Sequence, residues 1–138
     1  MVVLLDTGFI LATRNEDDFN HPQARDLMKE CLTGKFGQIF VSNFVFDETA
    51  TLTLVRTRDK RLLEDIWEFI LDSPRIKLIH ICETEFFATW ELFLKYCDRG
   101  LSFTDCSILA LSKLFEGNIY VATFDDHFKG LIPLLTEL

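Results

Sequence analysis

The sequence predicts an α/β fold built on a mostly parallel sheet, in one domain. Three observations carry this. Short apolar runs rich in Val, Ile and Phe fail to alternate with polar residues, as in strands covered on both faces. Helical patterns separate those runs, the alternation that joins parallel strands through crossovers. The 138 residues are 49% hydrophobic and hold no linker, repeat or low-complexity tract. That is enough chain for one core without disulfides or a structural metal.

The four strands are expected at Val2–Leu5, Gln38–Ser42, Ile76–Ile81 and Asn118–Thr123. A fifth candidate, Leu131–Leu135, suits a sheet edge, because Pro133 has no N–H to give a ladder. The first crossover, Phe9–Lys35, is expected to hold two short helices. Phe44–Arg58 reads as a helix apolar on most sides. Arg61–Leu71 carries Leu62, Leu63, Ile66, Trp67, Phe69 and Ile70, and Ser73-Pro74 stops it. Glu83–Tyr96 sets Phe86, Trp90, Phe93 and Cys97 on one stripe, and Phe103–Phe115 ends at Gly117. The aromatic stripes are expected to be core.

Composition narrows the function classes. Fourteen basic residues against 22 acidic ones give a net charge of -8, which argues against coating nucleic acid by bulk attraction. A site can still exist if the acids cluster on a metal or if a local basic patch does the binding. Cys31, Cys82, Cys97 and Cys106 form no C-x-x-C pair, and each lies in or beside an apolar stretch. Buried free thiols are expected, not a zinc site or a disulfide framework. The apolar start, Met1–Leu5, lacks a basic leader, and Asp6 interrupts it far short of a membrane span. A cytoplasmic protein without a membrane segment is expected.

Four separated carboxylates carry the chemistry. Ligands of open parallel sheets bind beyond the carboxyl ends of the strands. Asp6 directly follows one strand, and Asp125 follows another with only Phe124 between. Glu48 has Phe44, Val45, Leu52 and Val55 as helical neighbours, and a carboxylate among apolar residues must be paired, protonated or metal-bound. Asp105 stands in the first turn of a helix, on the face of Ile108 and Leu109. Structural readings stay open for each. Asp6 and Asp125 also fit N-caps, Asp105 fits the third position of a capping box with Ser102, and Glu48 could meet Arg25. Together the four form an oxygen-only set that suits Mg2+ or Mn2+ better than zinc.

At these residues the chain resembles the PIN-domain family, and within it the VapC-type toxins of toxin–antitoxin pairs. Asp6-Thr7 resembles the opening motif, with Asp17 or Asp18, His21 and Ala24 echoing the pattern after it. Ser42-Asn43 into Phe46-Asp47-Glu48 resembles the second motif, Ser102-Phe103-Thr104-Asp105-Cys106 the third, and Thr123-Phe124-Asp125 through Phe128 the last. Gly8 stands where relatives often carry a small hydroxyl residue. Asp126 is a second candidate for the fourth acid, and the spacing from Thr123 and Phe128 favours Asp125.

The resemblance implies a three-layer α/β/α sandwich with a mostly parallel central sheet of about five strands. It implies that Asp6, Glu48, Asp105 and Asp125 hold Mg2+ or Mn2+, assisted by the hydroxyls of Thr104 or Thr123. The implied activity is endonucleolytic cleavage of single-stranded RNA by a metal-activated water. A homodimer and a small antitoxin protein are the implied partners. The stretch Arg56-Thr57-Arg58-Asp59-Lys60-Arg61 is the densest basic segment. Its Arg56, Arg58, Lys60 and Arg61 either grip RNA phosphates or belong to a solvated loop between helices. His21 and His80 read as structural, and His127 as a surface residue.

Other functions fit less well. A haloacid-dehalogenase-type phosphohydrolase needs a second Asp where this chain has Gly8. A response-regulator receiver needs an early acidic pair and a late strand-end lysine. The alternative from a different class is a PIN-like module that binds RNA or protein without cleaving.

Overall fold

Strand β1 (Val2–Leu5) is followed by helices α1 (Thr7–Arg14) and α2 (His21–Leu32), then β2 (Gln38–Ser42). Helices α3 (Asn43–Thr57) and α4 (Lys60–Leu71) lead to β3 (Ile76–Ile79), and α5 (Glu83–Tyr96) and α6 (Phe103–Ser112) lead back to β4 (Ile119–Ala122). The computed structural model describes all residues from Met1 to Leu138. The sheet has four parallel strands in the order β3-β2-β1-β4, with Val3 paired to both Ile39 and Tyr120. Helices α1 to α4 pack on one another, and α5 packs on α6. The chain steps outward from β1 to β3 and then returns past β1 to β4. Right-handed crossovers therefore put the two helix groups on opposite faces of the sheet.

The central strands are buried as their apolar runs demand. Val3, Leu4, Leu5, Ile39, Val41, Val121 and Ala122 are all at most 2% exposed, and Phe9, Ile10, Ile66, Ile70, Ile108 and Leu111 cover them. Gly37 is required where the chain turns into β2. Its φ is +87°, and a Cβ there would sit 1.9 Å from the carbonyl oxygen of Met1.

The structure departs from the sequence reading in several places. The expected fifth strand is a single parallel bridge, Val121 to Leu134, with the Val121 N–H donating to the Pro133 carbonyl. Pro133 has no N–H with which to extend that ladder, and Leu135–Glu137 turns at once into a 3-10 helix. Strand β3 stops at Ile79 and lies at the sheet edge, so Lys77 and Leu78 are exposed where burial on both faces was expected.

The aromatic stripes are also not wholly core. On α5 only Thr89 is buried, and Phe86, Phe87, Trp90 and Leu94 are about half exposed, as is Trp67 on α4. An amphipathic pattern specifies which residues share a face but not whether another element covers it. Cys31 and Cys106 are buried free thiols, both pushed up to about 11 by burial, whereas Cys82 and Cys97 are exposed. No helix is long and apolar enough to cross a membrane.

Candidate functional site

Topology brings the first two acids together. Strand β1 has β2 on one side and β4 on the other, and the chain runs from β1 through β2 to β3 before returning past β1 to β4. The strand order therefore reverses, and a crevice opens at the carboxyl ends of β1 and β4. Leu5 is in register with Ala122, and the Asp6 N–H donates to the Ala122 carbonyl at 3.2 Å. The residues that follow the two strands, Asp6 and Asp125, are thereby held at one edge.

Into this crevice open α3 and α6. The result is an open cleft of about 340 Å³ lined by Asp6, Asp18, Glu48, Asp105 and Asp125, by Thr7, Asn20 and Ser102, by the single basic residue Arg56, and by Gly8, Leu11, Leu52 and Phe124. Four distant sequence segments thus deliver the four expected acids to one place, and a fifth acid, Asp18, joins them.

The N-cap readings of the acids also describe real bonds. Asp6 caps α1, accepting the Phe9 N–H at 2.7 Å through Oδ1, and its Oδ2 accepts the Thr123 hydroxyl. Thr123 in turn accepts the Asp125 N–H at 2.9 Å, tying the two acids through one hydroxyl. Asp105 and Ser102 form the full capping box at the start of α6. Asp125 accepts the His127 N–H at 2.9 Å and pairs with its ring Nδ1 at 2.7 Å. Each of these three carboxylates therefore has an orientation fixed by local backbone while lining the cleft.

Their electrostatics follow from burial and from one another. Asp6 is only 7% exposed, and its carboxyl is pushed up to about 7. Desolvation is the main cause, reinforced by the charges of Asp105 and Asp125 and opposed by the Thr123 and Phe9 hydrogen bonds. Asp105 is also raised, chiefly by burial, with Asp125 and Glu48 adding to the effect. A desolvated carboxyl beside other carboxylates is a group that a cation would relieve.

A hard divalent cation fits this chemistry. The potential ligands are all oxygens, with no histidine or cysteine lining the cleft. Thr7 Oγ1, at the same place, is a buried side-chain oxygen without a hydrogen-bond partner, which such a site leaves open for a ligand or its water. The carboxylates ring the cleft and do not converge on one point. No three His, Cys, Asp or Glu side chains stand together in ligating geometry.

The remaining expectations divide. Glu48 is half buried and lines the cleft, and Arg25 pairs with Asp26 at 3.1 Å and not with Glu48. Asp126 points away from the cleft into a pair with Lys129 at 3.2 Å. Thr123 contacts two of the acids, whereas Thr104 is not among the lining residues.

Of the basic run, only Arg56 reaches the cleft. Arg58 is the left-handed C-cap of α3 (φ 53°), and Asp59 caps α4 by accepting the Arg61 and Leu62 N–H groups. That break turns Arg61 into a neighbouring depression with Arg14, Arg25 and Asp65. His21 is structural, with Nδ1 2.7 Å from the Ala12 carbonyl, while His80 is exposed. Sequence reasoning quoted Thr7, and Asp17 or Asp18, only as motif matches without a role at the site, and it passed over Asn20. Nothing in the acidic stretch Glu16-Asp17-Asp18 distinguishes the one acid that the loop turns inward.

Comparison with known proteins gives the family and the fold. The PIN domain profile matches residues 3–131. A VapC ribonuclease of Archaeoglobus fulgidus is 28% identical over 131 residues, covering 94% of this chain and 80% of that protein. Among solved structures, the fold is similar to VapC20 of Mycobacterium tuberculosis, described as a sarcin-ricin loop cleaving toxin. The TM-score is 0.78 at 24% identity, over 91% of this chain and 92% of that one. It is also similar to a chain of VapBC2 from Rickettsia felis, solved bound to a DNA fragment from its promoter. There the TM-score is 0.66 at 18% identity, over 97% of both chains.

Proposed function

The chain belongs to the PIN-domain family, and from that premise we propose that it is a Mg2+- or Mn2+-dependent endoribonuclease acting on single-stranded RNA, the toxin of a toxin–antitoxin pair. The observation that carries the reading is the one cleft lined by Asp6, Glu48, Asp105 and Asp125, drawn from four segments, with oxygen donors only. A divalent ion held by these carboxylates would supply Lewis-acid polarisation of a phosphodiester and a more acidic water.

The chain's own groups have distinct tasks in this proposal. Asp6 is immobilised by the Phe9 N–H and the Thr123 hydroxyl, and Asp105 by Ser102. Both therefore present preset oxygens and lose little freedom on binding. Asp125 commits Oδ1 to His127 and keeps Oδ2 to orient the attacking water. Arg56 draws a flanking phosphate toward an otherwise negative cleft. No residue forms a covalent bond to substrate.

Two partners belong to the same proposal. A second copy of the chain covers the half-exposed Phe86, Phe87, Trp90 and Leu94 of α5, and a small basic antitoxin enters the acidic cleft. The test of the function is direct. A labelled single-stranded RNA incubated with the purified protein is cut with manganese or magnesium and survives in EDTA. Cleavage that is indifferent to EDTA, or absent with every metal, overturns the proposal in favour of a non-cleaving binding module.

A further inference from the structure

Phe19 is 96% exposed, the barest large hydrophobic side chain in the protein. A single exposed apolar residue needs no explanation by itself, but the position of this one does. Its chain neighbours on either side, Asp18 and Asn20, both line the acidic cleft. The loop that carries it is internally tied. The Asp17 N–H donates to Asn15 Oδ1 at 3.1 Å, the Asn20 N–H to Asp18 Oδ1 at 2.8 Å, and the His21 N–H to the Asp18 carbonyl at 3.0 Å. The ring thus stands on a short hydrogen-bonded turn at the edge of the site, with little backbone freedom left to lose on binding.

Charge indicates what such a ring can meet. Glu16, Asp17 and Asp18 precede it, and their carboxylates repel a phosphate. The one basic side chain in the cleft, Arg56, comes from α3. On its cleft side the Asn15–Asn20 loop therefore favours an uncharged base face over the backbone, since the basic side chains near Glu16, Arg14, Arg25 and Arg61, line a separate depression.

We propose that Phe19 is a stacking platform for a nucleobase of the single-stranded RNA next to the scissile phosphate. The inference rests on the ribonuclease reading above and adds a substrate-positioning residue to it. Stacking on a phenyl ring requires a base whose face is free, so Phe19 favours unpaired strands over duplex. It also tolerates every base, with the larger purine faces preferred.

The test compares wild type with Phe19→Ala, Phe19→Leu and Phe19→Trp, using manganese and a short single-stranded oligoribonucleotide cut at one position. Because the ring touches solvent on nearly all sides, all four proteins should melt alike. Phe19→Ala and Phe19→Leu should raise KM about tenfold, the loss of one base–aromatic stack, with kcat nearly unchanged, the signature of lost uniform binding. Phe19→Trp should retain the wild-type KM.

A second set of substrates, each abasic at one position, locates the partner. At the stacked position wild type should already show the raised KM, and Phe19→Ala should add nothing to it. A wild type that cleaves while Phe19→Ala keeps its KM overturns the stacking alone. So does a Phe19→Leu protein that binds as well as wild type, because leucine is apolar but cannot stack. Unchanged KM together with a lost protein–protein complex in light scattering makes the ring a protein contact and rejects the proposal. A wild type that cuts no single strand overturns the ribonuclease reading and this inference together.

Discussion

Asp6→Asn offers the sharpest test of the site's electrostatics, because a gain in stability is expected from damaging the proposed centre of activity. A carboxyl moved from 3.8 to about 7 on folding is one that the folded protein prefers to keep protonated. At about 1.4 kcal/mol per tenfold change in acidity, its ionised form destabilises the metal-free fold by ~4 kcal/mol. The sign follows from proton counting. The unfolded chain releases this proton near pH 4 and the folded chain near pH 7, so between those values the folded state binds more protons. Stability therefore falls as pH rises from 4 to 7 and levels off above.

Asparagine carries no such charge. Its Oδ1 can keep the Phe9 cap, but it loses the acceptor of the Thr123 hydroxyl, which costs ~1 kcal/mol. In EDTA, Asp6→Asn should therefore be about 3 kcal/mol more stable than wild type at pH 8 and slightly less stable at pH 4. For a domain of this size that is roughly a 10 °C rise in Tm at the alkaline end. Manganese should raise the wild-type Tm at pH 8, because an ion binding only the folded state stabilises it, and should move the variant little. Thermal melts from pH 4 to 8 measure all of this. Parallel wild-type and variant curves, or a variant lower by the same amount at every pH, would make Asp6 an ordinary favourable N-cap and refute the reasoning.

Three further outcomes are expected. Asp6→Asn, Glu48→Gln and Asp105→Asn should each lower manganese-dependent cleavage by about 100-fold or more, and Asp125→Asn should be more damaging than Asp126→Asn, whose carboxylate faces Lys129; initial rates on one RNA decide the order. Arg56→Ala should raise KM and reduce the slope of log KM against log salt by about one phosphate contact, whereas Lys60→Ala should leave that slope alone. Light scattering at micromolar concentration should find a dimer that Trp90→Glu converts to monomer, and a wild-type monomer would leave the α5 face without a second copy.

Much of the scaffold was legible because local chemistry and global fold agree. The runs Val2–Leu5 and Gln38–Ser42 are bounded by Asp6 and Ser42, side chains that cap the next helix, so strand ends and helix starts are encoded by the same residues. The α5 limits, Glu83 and Tyr96, followed equally from periodicity. The candidate acids were legible as carboxylates standing where a strand ends or among apolar neighbours, but the same positions also admitted caps. In the structure Asp6, Asp105 and Asp125 are caps and also line the cleft, because a cap occupies one carboxylate oxygen; the second oxygen of Asp6 accepts the Thr123 hydroxyl.

What tertiary structure alone decided is who meets whom. Strand order puts Asp6 beside Asp125, a pairing between residues over a hundred positions apart that no periodicity encodes. The turn at Asn15–Asn20 selects Asp18 from three consecutive acids and leaves Phe19 in water. The left-handed Arg58 splits one basic run between two surfaces. The α5 aromatics are left half exposed because no element of this chain packs over their outer side. Local sequence specifies periodicity and caps through interactions a few residues long, whereas the site depends on contacts across the sheet. Those contacts form only when the whole core closes.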